Sequence, residues 1–550
     1  SSNGIGTNWF VFKKSEIKPL SNFQPVLQKA REVEEVELLI ITHPRLQSAA
    51  NRLLAHKKAI GISAEVLTTT EIFDGFGYGN PDLTAIRNCI ASFFHKGAKL
   101  QNVLILGKGT FDYKGILGGR PNLVPIYTSR NSLNPLNTYS SDDYFGLLDW
   151  GQGKWEESRE GDELMQIGIG RIPAITLAEA NSFVDKLIAY ESREFDLSAF
   201  PSFTVLADDG DNGIHMRDSE AHANFLRSNH PEIKVNPLFL DRFEQTSNTG
   251  RQSSEAAKKA LEAQLDQGTF ILNYVGHGNE TTLTAEEIFT VSDIDNWANQ
   301  SNPALWVTAT CEFGRHDSPF IRSAAEELLI RPAKGAIGLL TTGRPVFSSV
   351  NFSLNQAFVQ EIFNGEFGPQ NLGEVFKKTK NNSLNGVLNR NFSLLGDPSL
   401  RLPYPELNIS IKDISEAQSG KSKDSLSAFQ PYLITAEIID PLSGALNIGF
   451  NGNYKIEIRG EAIPNQTLGD ENSPFDFLEE KVLLFQGSGM VSEGILKASI
   501  KIPGGFEDLL SKANIRILAW NSDSKTRALG LKSIEVKDEI KPNEPGEGPQ

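Results

Sequence analysis

Between residues 36 and 403, short and largely apolar runs alternate with longer amphipathic stretches. The runs are 36–42 (VELLIIT), 103–106 (VLIL), 203–207 (FTVLA), 270–275 (FILNYV), 305–309 (LWVTA) and 336–341 (AIGLLT). Near-continuous apolar runs of this length predict strands covered on both faces. Helical spacing fills 81–95, which opens on Pro and Asp, then 253–267 and about 320–329. Alternating strand and helix predicts a mostly parallel sheet flanked by helices, an α/β fold. From 405 the period changes to two. LNISIKD, PYLITAEIID, NYKIEIRG, EKVLLFQGSG, GILKASIKIP and NIRILAWNS follow one another with turn residues between them. They predict a β-sandwich of immunoglobulin-like type over 405–537. Residues 538–550 read as a Pro/Gly/Glu-rich linker or tail. Residues 1–35 stay unassigned and fit the remnant of something upstream. Their start, SSNGIGTNWF, has neither the basic nor the apolar region of a signal peptide.

Composition narrows the function classes. A chain of 550 residues is expected to hold more than one domain. Its formal charge of −16 repels phosphate backbones, so nucleic acid is not an expected partner. No run reaches the ~18 to 20 apolar residues that a membrane-spanning helix needs. The two cysteines, Cys89 and Cys311, cannot make a disulfide framework. Cys89 shares helical spacing with Ile86, Ile90 and Phe93, which predicts a buried core thiol.

Cys311 sits differently. It lies just past the apolar run 305–309, followed by Glu312, Phe313 and Gly314. A second run, 270–275, ends in Gly276-His277-Gly278. Ligands of open α/β sheets bind at the carboxyl ends of strands. A thiol there is presented rather than packed, and an imidazole there can take its proton. Gly278 leaves its backbone N–H open to a substrate oxygen. One helical crossover is expected between the two strands, which would make them neighbours and bring His277 to Cys311.

These two motifs, with SDDYFGLLD at 141–149, IGIGRIPA at 167–174, ADDGD at 207–211 and SLLGDPSLRLP at 393–403, resemble the caspase-like cysteine peptidases, most closely the gingipain family. The resemblance spans about 36–403. It implies a caspase-like catalytic domain with subdomains over 36–200 and 201–404. The segments GFNGN (449–453) and VLLFQGSGMVSEG (482–494) are similar to the region that follows the catalytic domain in the gingipain-related sortases of type IX secretion. The resemblance implies Cys311 as nucleophile, His277 as proton carrier, and an oxyanion hole from the N–H groups of Gly278 and Cys311. For the sortase-like members it implies cargo proteins with a C-terminal secretion signal, a lipopolysaccharide-type glycolipid acceptor, and an outer-membrane partner protein. The implied location is the outer face of a Gram-negative outer membrane. Two rival readings are a secreted gingipain-like endopeptidase and an inactive surface scaffold that binds cargo.

The family also places acidic residues where Asp142, Asp143 and Asp162 stand, for imidazole orientation or specificity. Glu312 is a further candidate. No cofactor is required, though a structural calcium ion on Asp208, Asp209 or Asp211 is a candidate. The spacing fails the helix-loop-helix calcium pattern, because Ile214 stands where its sharp-turn glycine belongs. His215 is expected to be structural. ILGKGT at 105–110 lacks phosphate-loop spacing, and Cys311 with His316 is too few ligands for a zinc site.

Overall fold

The computed structural model describes residue 13 and residues 35–538, apart from 98, 130–133, 135, 155–161, 249–250, 366–369, 384–387, 471 and 507–508. The unassigned start and the tail therefore lie almost wholly outside the described residues.

The apolar runs are strands of one ten-stranded sheet. The ten strands of the sheet are β1 (Leu38–Thr42), β2 (Ala64–Thr68), β3 (Asn102–Leu106), β4 (Gly168–Ile172), β5 (Ser202–Ala207), β6 (Lys234–Phe239), β7 (Ile271–Val275), β8 (Ala304–Ala309), β9 (Ala336–Thr342) and β10 (Phe392–Leu395). The order is β2-β1-β3-β4-β10-β9-β8-β7-β5-β6. Four strands from 36–200 make one flank and six from 201–404 the other. Pairing within each flank is parallel, except that β10 runs antiparallel to β9. The flanks meet through one register pair, Leu395 with Arg171. Every residue of β1, β3, β7, β8 and β9 is buried, which is why these runs show no polar alternation. The fold is the caspase-like α/β sheet that the motifs imply, with Cys89 fully buried in a flanking helix.

Four strands escape the apolar pattern for local reasons, among them β10, which is only four residues long and carries Ser393. β2 and β4 carry Glu65 and Arg171 inside short runs, and β4 has two glycines. β6 contains Pro237, which a sheet tolerates at its edge, where β6 lies. The expected crossover helix between β7 and β8 is absent. Residues 276–303 instead form a short antiparallel pair, Thr282–Leu283 with Phe289–Thr290, then two 3-10 turns. Thr290 and Asp293 cap the first turn reciprocally. Trp297 from this connection stacks on Trp306 of β8, with ring centroids 6.0 Å apart. Aromatic packing thus replaces the helix, and β7 and β8 still lie side by side.

Past residue 405, eight strands form a second sheet with its own core around Ile434, Ile456 and Ile517. Its first strand, Leu407–Glu416, also pairs with the last, Thr526–Lys537, so the sandwich-like sheet closes on itself. Ile463–Gln466 and Asp476–Glu479 make a separate hairpin that leaves this domain. Its Phe477 is buried in the catalytic core, edge-on to Phe239 at 5.2 Å.

Candidate active site

Three neighbouring strand ends build the site. Ala207 of β5, Val275 of β7 and Ala309 of β8 share one register. One residue beyond β5 stands Asp208; two residues beyond β7 and β8 stand His277 and Cys311. The Asp208 N–H donates to the Val275 carbonyl (3.1 Å), and its Oδ2 accepts from the His277 N–H (2.8 Å). Gly276 permits that approach, since a Cβ there would fall 2.3 Å from the Asp208 Cβ. The His277 carbonyl accepts from the Thr284 N–H at 3.0 Å and from the Tyr274 hydroxyl. The backbone is pinned while the imidazole is 57% exposed.

Gly278 joins the two loops. A Cβ there would meet Thr310 Oγ1 at 2.7 Å, so only glycine lets the histidine loop lie against the residue before Cys311. Among the described residues, neither the Gly278 nor the Cys311 N–H donates a hydrogen bond. The Cys311 thiol is half-buried, with its Sγ 4.0 Å from the Val346 carbonyl oxygen. Its loop is tied to the end of β9. The Thr310 carbonyl accepts from the Thr342 hydroxyl, and the Gly314 N–H donates to the Thr342 carbonyl (2.7 Å). Glu312 turns the chain at φ +54°. Behind it, Arg344 grips Asp317 through two bonds of 3.0 and 2.5 Å. Burial alone would raise the Asp317 carboxyl, but the guanidinium outweighs it and holds the group well below the usual carboxylate range.

The carboxylate that faces the imidazole is Asp211, whose Oδ2 lies 3.2 Å from His277 Nε2. Asp211, Asn212 and Gly213 take φ values of 54°, 55° and 70° in succession. Asp, Asn and Gly bear left-handed backbone best. The run swings Asp211 across to the histidine and leads into the helix Ile214–Asn229. His215, in the first turn of that helix, is 7% exposed and stands edge-on to His277, with ring centroids 5.2 Å apart. Burial pushes its imidazole below the ordinary value, against the pull of Asp208.

The other expected residues are placed elsewhere. Asp142 and Asp143 do not reach His277, which corrects their expected role. Asp142 forms two 2.7 Å bonds with buried Arg171 of β4. Asp143 pairs with Lys380 at 2.7 Å and Arg390 at 3.5 Å. β4 stands four positions from β7, or roughly 19 Å at ~4.8 Å per strand. Both are buried ion-pair partners. Asp162 is exposed at the edge of an undescribed stretch. Glu312 turns to Arg315 at 3.2 Å, and burial, then the Glu280 carboxylate, push its carboxyl up. Asp208 and Asp209 share a buried group with Glu286, with one carboxylate oxygen of each within 4.8 Å of the others. Asp211 stands apart from that group, beside the histidines. Sequence reasoning missed Glu286 and the partnership of Asp211 with His277. One signal was available for Asp211 and His215: both follow the end of β5 at a spacing of four.

A family model described as Peptidase family C25 matches residues 31–403. No curated protein matches the chain in sequence. Among solved structures, the complex of Porphyromonas gingivalis RgpB pro- and mature domains is 14% identical. It superposes at a TM-score of 0.50 over 92% of this chain and 100% of that one. The Arg-specific cysteine proteinase gingipain R (RgpB) is 15% identical, at a TM-score of 0.51 over 94% and 100%. Dimeric latent PorU from Porphyromonas gingivalis is 19% identical, with a TM-score of 0.42 over 92% of this chain and 44% of that one. At these identities the first two likenesses show the fold.

Proposed function

The chain belongs to peptidase family C25, and from that premise we propose that Cys311 and His277 carry a sortase-like cysteine peptidase reaction. The observation that carries this reading is the shared register of β7 and β8, which sets both residues just past the carboxyl ends of neighbouring strands with Gly278 against Thr310. His277 takes the thiol proton as Sγ attacks the scissile carbonyl. The Gly278 and Cys311 N–H groups receive the oxyanion. His277 then passes the proton to the leaving amine, and a thioester remains on Cys311. Asp211 orients the imidazole through its 3.2 Å contact.

The thioester is open to water or to an amine. We assign the amine route, with cargo proteins bearing a C-terminal secretion signal as acyl donors and a lipopolysaccharide-type glycolipid as acceptor. The reaction would run at the outer face of the outer membrane, beside an outer-membrane partner protein. Support comes from segments 449–453 and 482–494, whose sequence is similar to the domain after the catalytic unit of PorU-like sortases. A second support is that the hairpin of this domain touches the site: Asn472 Nδ2 donates to the Asp209 carbonyl at 2.5 Å. Among the described residues no helix is long and apolar enough to cross a membrane.

Mass spectrometry of the new cargo C-terminus decides between the routes. A glycan-linked amide is the expected product. A free carboxylate would replace the sortase reading with hydrolysis, as in a secreted endopeptidase. Normal processing by Cys311→Ala would remove Cys311 as nucleophile, and processing by neither protein would leave an inactive scaffold.

A further inference from the structure

We infer that Asp208, His215 and His277 form a site for one divalent transition-metal ion of the zinc type, which captures the imidazole and holds the peptidase inactive. This rests on the reading of His277 as the proton carrier and adds a regulator to that site.

One donor atom from each of the three residues lies within 4.8 Å of the others. A tetrahedral zinc ion with ~2.1 Å bonds spaces its donors roughly 3.4 Å apart, so a small side-chain adjustment closes the set. The second observation is His215. Its ring is 7% exposed, and neither Nδ1 nor Nε2 has a hydrogen-bond partner. Its nearest charged neighbour, Asp211 Oδ2, stays at 3.6 Å from Nε2. Burying an imidazole with neither nitrogen bonded is unfavourable, because its polar atoms have given up water for nothing. A metal ion in front of it takes up the ring's one basic lone pair. His277 closes the set from the solvent side, so an ion can enter without unfolding. Two nitrogens and one carboxylate oxygen suit zinc rather than calcium, which takes six to eight oxygens. With the ion in place His277 has no lone pair free for the thiol proton, so occupancy and turnover exclude each other.

Zinc binding is measured on Cys311→Ala, by competition with a chelating dye, because the free thiol itself attracts zinc. One ion per chain is expected. Outer partners of metal ligands alone are worth 10–100-fold in affinity, so losing the ligand itself in His215→Gln should weaken binding at least about 100-fold. His230→Gln, off the site, should leave binding unchanged. Equal affinity in the His215→Gln protein overturns the proposal, as does loss of all binding in Cys311→Ala alone. A measurement without substitution at the site guards against misfolding. On adding Zn2+, the side-chain 15N signals of both His215 and His277 should move together; movement of His277 alone contradicts the site. In wild type, peptide cleavage should fall in step with zinc occupancy and return with a chelator. Absence of cleavage in the chelated enzyme would sink the peptidase reading, while metal binding is scored on its own.

Discussion

Two histidines within one helix differ only in what they face. His215 faces the site, whereas His222, two turns on, stacks on Phe352 with ring centroids 5.3 Å apart and no hydrogen bond at either nitrogen. Burial pushes the His222 imidazole down to about 4. A folded value below the unfolded ~6.5 favours the neutral ring, so its contribution is present above pH 6.5 and lost as pH falls toward 4. His222→Phe should therefore lose roughly 2–3 kcal/mol less stability than wild type between pH 7 and 4.5, by urea unfolding at both values. Equal losses would mean the ring is already charged or wet. Two aspartates separate orientation from architecture in the same way. Asp211→Asn should lower kcat about 100-fold with little change in KM or in melting temperature. Asp142→Ala leaves buried Arg171 uncompensated and should cost about 3–5 kcal/mol of stability. An active, unstable Asp211 variant would reverse these assignments.

Each element contributes one strand end, and glycines set how closely the ends approach. Gly278→Ala places a methyl 2.7 Å from Thr310 Oγ1 and shifts the N–H proposed as an oxyanion donor. Steady-state kinetics should show kcat reduced about 100-fold or more, with KM less affected. Unchanged kcat would remove Gly278 from the oxyanion hole. The elements were legible where both faces are buried: β1, β3, β5, β7, β8 and β9 are the apolar runs themselves. So was the position of His277 and Cys311 just past two neighbouring strand ends, because glycines and polar residues directly follow the apolar runs there. The edge strand β6, the four-residue β10 and the polar-bearing β2 and β4 were not legible, since tertiary pairing rather than apolar pattern holds them. Nor was the acid facing His277. Asp142, Asp143 and Asp211 all stand in short acidic clusters, and only the sheet order and the left-handed turn at 211–213 tell which one crosses to the imidazole.

At the scale of the whole molecule, the second domain is clasped to the first beside the site. Asp241 accepts from the N–H groups of Leu468, Gly469 and Asp470 through its carbonyl and carboxylate, and Arg242 pairs with Glu479 at 3.0 Å. With Phe477 inside the catalytic core, the two domains should unfold as one. Calorimetry should show a single transition, and two resolved transitions would show that the hairpin contributes little. Both thiols of this one frame report on whether His277 activates Cys311. Wild type is treated with a peptidyl ketone that alkylates thiols, and the adduct is located by mass spectrometry. Cys89 is fully buried and Cys311 is not. One adduct is expected, on Cys311, formed far more slowly in His277→Ala. Labelling of Cys89, or labelling of Cys311 at the same rate without His277, would contradict it.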